Sequence, residues 1–278
     1  SELDLREAAA THAFFARERP DYVFLAAARV GGVHANVSSP ADFIRENLQI
    51  QTSVIDAAHR YHASKLLFLG SSCVYPKLPY EPKGEDDLLR GKLEPSTDAY
   101  AVAKIAGIVM CKSYNRQHGT NFIAAMPSNL YGPHDNFDLK TGHVLPSMIR
   151  KFHEAKVMGR PSVELRGSGD PRREFLYVDD LANALLLMMN IFDATPADPD
   201  ALFLNVGSGE DISVRELAAL GREIVGYEGD IVWNRQMPDG ARQMRLCVDR
   251  LRGLGWKAAH RLPEGIRMTY EWFKENAG

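Results

Sequence analysis

Tyr100 and Lys104 stand four residues apart in a segment that predicts a helix. Side chains at this spacing lie on one face of a helix, so the phenol and the ammonium should be neighbours. An ammonium beside a phenol favours the phenolate and lowers the phenol's pKa from its usual value of about 10. A tyrosine tuned in this way can donate a proton to a carbonyl that is being reduced. Because the Tyr-x-x-x-Lys pattern is also common in ordinary helices, with a packed tyrosine and a solvated lysine, it needs support from elsewhere.

A second group of reactive side chains, Ser71, Ser72 and Cys73, directly follows the apolar run KLLFLG. The run predicts a buried strand, and the hydroxyl of Ser71 at its end could hold the same carbonyl oxygen as Tyr100. Taken alone, Cys73 is best interpreted as a small buried hydrophobic residue, the commonest fate of a free cysteine. The later segment PSNLYGP, which is again polar and follows an apolar run, strengthens the interpretation of a reactive site.

The elements that must position these groups alternate along the chain. Apolar runs at 21–28, 65–72 and 121–129 predict strands, and 43–61 and 99–116 predict helices between them. Strands that are apolar almost throughout and alternate with helices indicate a parallel sheet covered on both faces. We therefore predict an α/β fold with a Rossmann-type, doubly wound parallel sheet. In such sheets ligands bind at the carboxyl ends of the strands, which is where the polar segments fall.

The second half of the sequence is less regular. Residues 151–175 include a loop dense in Gly, Pro and Arg, while 179–189 and 212–226 predict helices, the latter with Ser213 as its N-cap. The run at 201–209 predicts a strand that returns to the first sheet. We expect a cofactor-binding domain at 1–135 and a smaller α/β substrate-binding domain at 136–278.

Composition excludes several classes of function. With 45% hydrophobic and 25% charged residues and a net charge of −3, the chain is an ordinary globular one without the basic surplus of a nucleic-acid or membrane-surface binder. We therefore expect no nucleic-acid partner, no membrane association and no metal site. Three scattered cysteines predict no disulfide framework and a reducing, cytoplasmic location.

One element of a dinucleotide-binding sheet is missing from the predicted pattern. Such a sheet opens with a strand, a glycine-rich turn and a helix whose N-terminus holds the pyrophosphate, and nothing before residue 21 fits this description. We expect roughly 35–40 residues upstream of Ser1, about the size of one strand–helix–strand unit. If the natural chain instead starts at Ser1, it would be a cofactor-free pseudoenzyme that serves as a binding subunit.

Longer segments carry a resemblance to a known family. They are LAAARVGG, PADFIRENL, LLFLGSSCVYPK, LEPSTDAYAVAKIAG, SYNRQHG, MPSNLYGPHDNF, HVLPSMIRKFHEA, GSGDPRREFLYVDDLA and LNVGSG. In these segments, over nearly its whole length, the chain resembles the extended short-chain dehydrogenase/reductases. The resemblance implies an NADP(H)-dependent homodimeric enzyme that epimerises GDP-4-keto-6-deoxy-D-mannose at C3 and C5 and reduces it at C4. A related GDP-4-keto-deoxysugar, such as a deoxyheptose, is the alternative substrate.

The same resemblance implies catalytic roles for five residues. Ser71, Tyr100 and Lys104 would form the reductase triad, and Cys73 and His143 the acid–base pair of the epimerisation. Inverting a carbon beside a ketone requires that a proton leaves one face and that another arrives on the opposite face. Two opposed groups of moderate pKa, a thiol near 8.5 and an imidazole near 6.5, suit this task at neutral pH.

The resemblance also implies two binding sets. The cofactor would be held by Ala27, Ala28, Leu69, Gly70, Ser71, Ser72, Tyr100, Lys104, Pro127, Ser128, Asn129, Leu130 and His143. The substrate would be held by Lys151, Arg166, Arg173 and Asp239. Arg166 departs from the family pattern, which commonly has tryptophan there. Cys247 is a second departure, at a position where an acidic residue is frequent.

Overall fold

The computed structural model describes residues 3–77, 82–195, 202–236, 239 and 242–276. The helices are α1 (Ala8–Glu18), α2 (Val33–Ser38), α3 (Pro40–Arg60), α4 (Asp98–His118), α5 (Val144–Val157), α6 (Val178–Ile191), α7 (Val214–Val225), α8 (Asp249–Gly253) and α9 (Leu262–Asn276). The strands are β1 (Tyr22–Leu25), β2 (Lys65–Leu69), β3 (Phe122–Pro127), β4 (Asn129–Tyr131), β5 (Ser162–Arg166), β6 (Arg172–Tyr177), β7 (Phe203–Val206), β8 (Asp211–Ser213), β9 (Asp230–Asn234) and β10 (Gln243–Met244).

The main sheet has the strand order β1-β2-β3-β7, and all of its pairings are parallel. Its strands are apolar at consecutive positions because both of its faces are covered. Leu66 and Phe68 pack with α1, α3 and α4, whereas Leu67, between them, packs with α6 and α8 on the opposite face. This arrangement confirms the predicted doubly wound parallel α/β fold.

The remaining strands form two smaller sheets. In the first, β6 pairs with β4 and β10 in parallel and with β8 in antiparallel orientation. In the second, β5 pairs with β9. A separate apolar cluster, built around α5, α7 and α9, packs against these strands. β7 lies in the main sheet, so the chain passes more than once between the main sheet and the smaller sheets. The division into domains at residue 135 stays a prediction.

Most predicted elements of the first half match the observed ones within a few residues. The observed elements without a predicted counterpart include α2 and β4 in the first half and α5 and α9 in the second. The strands β5, β6 and β9 were also not predicted. Their sequences alternate in burial or contain several charged residues, as in the exposed–buried pattern of β5. Residue 201, at the start of the predicted strand 201–209, lies outside the described residues.

The structure adds two findings on other classes of site. Among the described helices, none has the length and apolar character needed to cross a membrane. Within the same described ranges, no cluster of three or more His, Cys, Asp or Glu side chains has an arrangement suited to a metal ion.

Candidate active site

The turn that carries Ser71 and Cys73 begins where β2 ends. Gly70 permits it, because a Cβ at this position would collide with the side chain of Met126 on β3. One 3₁₀ turn, Ser72–Val74, follows, and Ser71 caps it: the Oγ of Ser71 accepts a hydrogen bond from the backbone N–H of Cys73 at 3.3 Å. Ser71 and Cys73 are thus held together by the local fold at the carboxyl end of a buried strand.

Lys104 reaches the same strand end from α4. Its Nζ donates a hydrogen bond to the carbonyl oxygen of Leu69 at 2.7 Å and lies 4.8 Å from the centre of the Phe68 ring. The side chain has only 3% exposure, and burial lowers the pKa of Lys104 to about 8. Close approach of the helix is possible because Gly107 lies against Phe68, where a Cβ would collide with the ring.

Tyr100 lies one turn before Lys104, with its ring edge-on to Phe43 at a centroid distance of 6.3 Å. Burial raises the pKa of Tyr100, the nearby thiol of Cys73 raises it further, and a hydrogen bond with Ser71 offsets part of the effect. The predicted lowering of this pKa by Lys104 is therefore wrong in this structure, because burial dominates and the ammonium is bonded to Leu69. The phenol keeps its proton at neutral pH, which is the form that a proton donor needs.

Cys73 lies among Ser71, Tyr100 and Arg173. Burial raises the pKa of the thiol, whereas the hydrogen bond with Ser71 and the positive charge of Arg173 oppose that rise. The positive charge of Arg173 is therefore one of the influences that make it easier for the buried thiol to give up its proton.

Arg173 is one of the predicted substrate-binding residues, and it extends from β6. Burial lowers its pKa, while the charges of Cys73, Glu94 and Asp239 favour its charged form. Asp239 in turn accepts two hydrogen bonds from Ser168, from the backbone N–H at 2.9 Å and from the hydroxyl at 2.7 Å. Asp239 therefore holds the 167–169 loop beside Arg173, and Glu94 is a neighbour that the sequence analysis missed.

The other two predicted substrate-binding residues, Lys151 and Arg166, lie near each other. Lys151 Nζ donates to the carbonyl oxygen of Glu164 at 2.9 Å, and both burial and the charge of Arg166 lower its pKa. Arg166 ends β5 and is exposed. The pair forms a second cationic patch, distinct in its contacts from Arg173.

His143 occupies a different setting from the other predicted catalytic residues. It is exposed and forms the N-cap position of α5, and Asp135 is the charged group beside it. Across the described ranges, no hydrogen bond or ion pair joins it to Cys73 or Tyr100. The predicted opposition of thiol and imidazole therefore stays a prediction.

The loop before His143 is organised by Asp138. Its Oδ1 accepts hydrogen bonds from the N–H of Lys140 at 3.0 Å, the N–H of Thr141 at 2.8 Å and the hydroxyl of Thr141 at 2.9 Å. The carbonyl oxygen of Thr141 accepts a bond from the N–H of Gly32 at 3.1 Å, which joins the loop to the segment after β1. Asp135 and Asp138 were missed by the sequence analysis, although the polar run HDNFD was a signal for them.

Several of the predicted cofactor-binding residues lie at the carboxyl ends of strands of the main sheet, whereas His143 lies on the exposed loop before α5. β1, β2 and β3 are parallel, so Ala27 and Ala28, the Leu69–Ser72 region and Ser128 all follow carboxyl ends of strands. Ser128 has 6% exposure, and its Oγ is buried without a hydrogen-bond partner. An unpaired buried hydroxyl beside a row of strand ends fits a polar ligand such as a nicotinamide dinucleotide.

Comparison with known proteins shows which family the chain resembles over its length. The sequence profile of the NAD dependent epimerase/dehydratase family matches residues 1–207. The probable GDP-L-fucose synthase 1 of Oryza sativa subsp. japonica is 50% identical over 277 residues, which are 99% of this chain and 83% of that protein. The GDP-L-fucose synthase of Escherichia coli (strain K12) is 49% identical over 278 residues, 99% of this chain and 87% of that protein.

A solved structure shares the same architecture. The GDP-mannoheptose C4 reductase from Campylobacter jejuni, with NADP bound, superposes with a TM-score of 0.88 at 38% identity, covering 98% of this chain and 88% of that one. Family profile, full-length relatives and shared architecture lead to one assignment. The chain belongs to the NAD dependent epimerase/dehydratase family.

Proposed function

We propose that this protein converts GDP-4-keto-6-deoxy-D-mannose to GDP-L-fucose by epimerisation at C3 and C5 and NADPH-dependent reduction at C4. The observation that carries the proposal is the meeting of Ser71, Cys73, Tyr100 and Arg173 at the end of β2. The meeting brings a proton donor for a carbonyl, a base for an adjacent carbon and a cation for a phosphate into one place. The names of the two half-identical relatives support the same reaction.

The reduction uses groups on β2 and α4. In the proposed complex the C4 carbonyl oxygen accepts hydrogen bonds from Ser71 and Tyr100, and NADPH supplies the hydride. Tyr100, protonated because of burial, gives its proton to that oxygen. Lys104 and Ser128 are the residues that would hold the cofactor beside the carbonyl, since one is a buried cation and the other an unpaired hydroxyl.

The epimerisation uses Cys73 as the base. Its thiolate removes a proton from the carbon next to the ketone, and Ser71 and Tyr100 stabilise the resulting enolate oxygen by hydrogen bonding. His143 returns a proton from the opposite face, which requires that the loop 135–143 brings its imidazole to the sugar once the substrate is bound. A thiol suits the first step better than a hydroxyl would, because its pKa lies far closer to neutrality.

The nucleotide part of the substrate would be held by the cations. A guanidinium donates paired hydrogen bonds to phosphate oxygens, so Arg173 is the proposed partner of the diphosphate. The negative charge of Asp239 favours the charged form of Arg173, while Lys151 and Arg166 would attract the anionic nucleotide from the exposed side. Arg166, which stands where the family commonly has tryptophan, favours a second candidate substrate, a GDP-4-keto-deoxyheptose, and the name of the related GDP-mannoheptose C4 reductase supports it.

We infer a homodimer in the cytoplasm. Val102 and Val109 on α4 are 44% and 45% exposed, and a spacing of seven residues puts them on one face of the helix. A second copy that packs against this face would cover both. The three cysteines are free, as is typical of a reducing compartment. Replacing Val102 and Val109 together with glutamate should halve the mass measured by light scattering, and an unchanged mass would exclude this face as the interface.

Product analysis tests the proposed reaction. The protein is incubated with NADPH and either GDP-4-keto-6-deoxy-D-mannose or a GDP-4-keto-deoxyheptose, and the nucleotide sugars are identified by NMR spectroscopy. We expect GDP-L-fucose and NADPH oxidation in equal amounts with the first compound. Turnover of the heptose alone would replace the first proposal with the second, and reduction of neither sugar would reject both.

A further inference from the structure

The turn that carries Cys73 ends in a buried contact that the proposed chemistry does not use. Tyr75 has 1% exposure, and its hydroxyl donates a hydrogen bond to the Oδ1 of Asn205 on β7 at 2.5 Å. Asn205 itself has no exposed surface. The contact joins residues 130 positions apart and fixes the far end of the 3₁₀ turn whose near end is capped by Ser71.

The side-chain amide and the backbone N–H of Asn205 are all hydrogen-bonded. Its backbone N–H donates to the Oε1 of Glu85 at 2.9 Å, and its Nδ2 donates to the carbonyl oxygens of Lys83 and Cys247, each at 3.0 Å. The side-chain amide therefore uses its acceptor and both of its donors. Aspartate in its charged form could accept the bond from Tyr75 but could not donate the other two, so the site specifies an amide.

The contacts continue from Cys247 to the strand that carries Arg173. The neighbouring residue, Leu246, donates its N–H to the Oε2 of Glu174 at 2.7 Å, and Gly209 donates its N–H to the Oε1 at 2.7 Å. Glu174 has 1% exposure and follows Arg173 directly on β6. Successive side chains of a strand point to opposite faces, so fixing Glu174 on one face also fixes Arg173 on the other.

These contacts form a closed path, since Arg173 acts on the thiol of Cys73. We propose that Asn205 is a positioning residue that holds the turn carrying Cys73 against the strand carrying Arg173. The inference rests on the proposed function only for the role of the thiol as a base. The positioning itself, the placement of the Cys73 thiol relative to the Arg173 guanidinium, is a property of the protein without substrate.

The thiol is surrounded by groups from three elements. Ser71 faces it from its own turn, Tyr100 from α4 and Arg173 from β6, and Arg173 also faces Glu94 and Asp239. If the turn is released, the thiol loses the positive charge that opposes the effect of burial. Its pKa then rises, and the thiolate fraction at a given pH falls.

The test measures the thiol directly and needs neither substrate nor cofactor. The full-length protein is alkylated with iodoacetamide between pH 6 and pH 10, and the modification of Cys73 is followed by peptide-resolved mass spectrometry, which separates it from Cys111 and Cys247. The variants are Tyr75→Phe and Asn205→Ala. Tyr114→Phe is the matched control, because it removes a phenol that donates to Asp56 at a similar distance of 2.7 Å.

We expect both variants to move the midpoint of the alkylation profile upward by about one pH unit, a size typical of one lost charge neighbour. At pH 7.5 this corresponds to a roughly tenfold slower modification of Cys73. Arg173→Met should produce a similar shift, and Tyr114→Phe none. Thermal unfolding of each variant is recorded alongside, because loss of stability alone does not move the midpoint of a folded protein.

Two outcomes overturn the proposal. One is an unchanged midpoint in folded Tyr75→Phe protein, which decides the question even if Asn205→Ala does not fold. The other is an unchanged midpoint in Arg173→Met, since the guanidinium would then not govern the thiol. A shifted midpoint in a protein that fails to convert either GDP-sugar supports the positioning role and counts only against the proposed function.

Discussion

The two sides of the candidate site are built in different ways. The side that carries Ser71, Tyr100 and Lys104 stands on a buried strand and a 21-residue helix, and Lys104 has 3% exposure. The side that carries His143 is an exposed loop held by the hydrogen bonds of Asp138. The positions of the first group are set by the packed core, whereas the position of His143 is set by a few solvent-exposed hydrogen bonds. The comparison teaches that the reducing groups are fixed by folding of the core, whereas the imidazole depends on one loop held by exposed hydrogen bonds, a kind of segment that can open without global unfolding.

Tyr100→Phe should have the largest effect, because it removes the proton donor from the fixed side. We expect the rate of C4 reduction to fall roughly 10²–10⁴-fold, the usual worth of a positioned acid. Folding should be nearly unaffected. The measurement is single-turnover NADPH oxidation at saturating substrate, with Tyr114→Phe as the control, and a reduction rate within twofold of the unmodified protein would remove Tyr100 from the mechanism.

Asp138→Ala should act on the exposed side alone. The change removes the acceptor for Lys140 and Thr141, so the loop no longer positions His143. We expect the epimerisation rate to fall at least tenfold, since one lost loop hydrogen bond costs about 1 kcal/mol, roughly a fivefold effect, and the change removes three of them. Reduction of a substrate that needs no epimerisation should stay unchanged.

Asp138→Asn is the matched control for this change, because an amide oxygen accepts the same bonds. It should restore most of the epimerisation rate. The pKa of Asp138 is lowered by those bonds, so its carboxylate stays charged at any pH at which the enzyme is assayed. Equal loss in both variants would show that the charge, not the loop geometry, matters.

Lys104→Met tests how deeply the first side is built into the core. Burial lowers the pKa of Lys104 from 10.5 to about 8, so between these values the unfolded chain binds more protons and stability rises with pH. The shift corresponds to about 3 kcal/mol of folding free energy. This destabilisation of the folded protein by the charged lysine is fully present below pH 8 and is relieved by about pH 10.5. The stability of the variant relative to the unmodified protein should therefore fall by about that amount between pH 7.5 and pH 10.5 in denaturant unfolding, and a constant difference would show that Lys104 is solvated.

Two glycines sharpen the comparison at the smallest scale. A Cβ on Gly107 would meet the ring of Phe68 in the core, and a Cβ on Gly142 would meet the carbonyl oxygens of Asn136 and Asp138 in the loop. We expect Gly107→Ala to lower the global free energy of unfolding by about 1–3 kcal/mol, as overpacking does. Gly142→Ala should leave the global free energy of unfolding within about 1 kcal/mol of the unmodified protein and should only speed hydrogen exchange of the loop amides. Equal losses of global stability in both variants would contradict the division of the site into a core-built side and a loop-built side.

The sequence predicted the fixed side well because its signals are local. The apolar run before Ser71 gave the strand, and the Tyr-x-x-x-Lys spacing gave the helix face. Elsewhere in the chain a local signal was equally good, since Ser213 was confirmed as the N-cap of α7 with Glu216 in a capping box. The fold class followed from the alternation of such elements.

The rest depends on contacts between distant residues. The pKa of Tyr100 was predicted to fall because only its neighbour Lys104 was visible in the sequence, whereas burial by the whole fold raises it. Asn205 looked like an ordinary strand residue, although its four partners lie on three separate segments, at Tyr75, at 83–85 and at Cys247. β5 and β9 were missed because neither is a continuous apolar run, and because among the described residues each pairs only with the other, 68 positions away in their register.

The central claim is that one thiol on the fixed side begins the epimerisation. The measurement is deuterium incorporation at C3 and C5 of GDP-4-keto-6-deoxy-D-mannose in D₂O, followed by NMR spectroscopy for Cys73→Ser, with Cys247→Ser as the matched cysteine control. We predict rapid labelling at both carbons in the unmodified protein and in Cys247→Ser, and almost none in Cys73→Ser. Labelling of the Cys73→Ser sample at the unmodified rate would contradict the account.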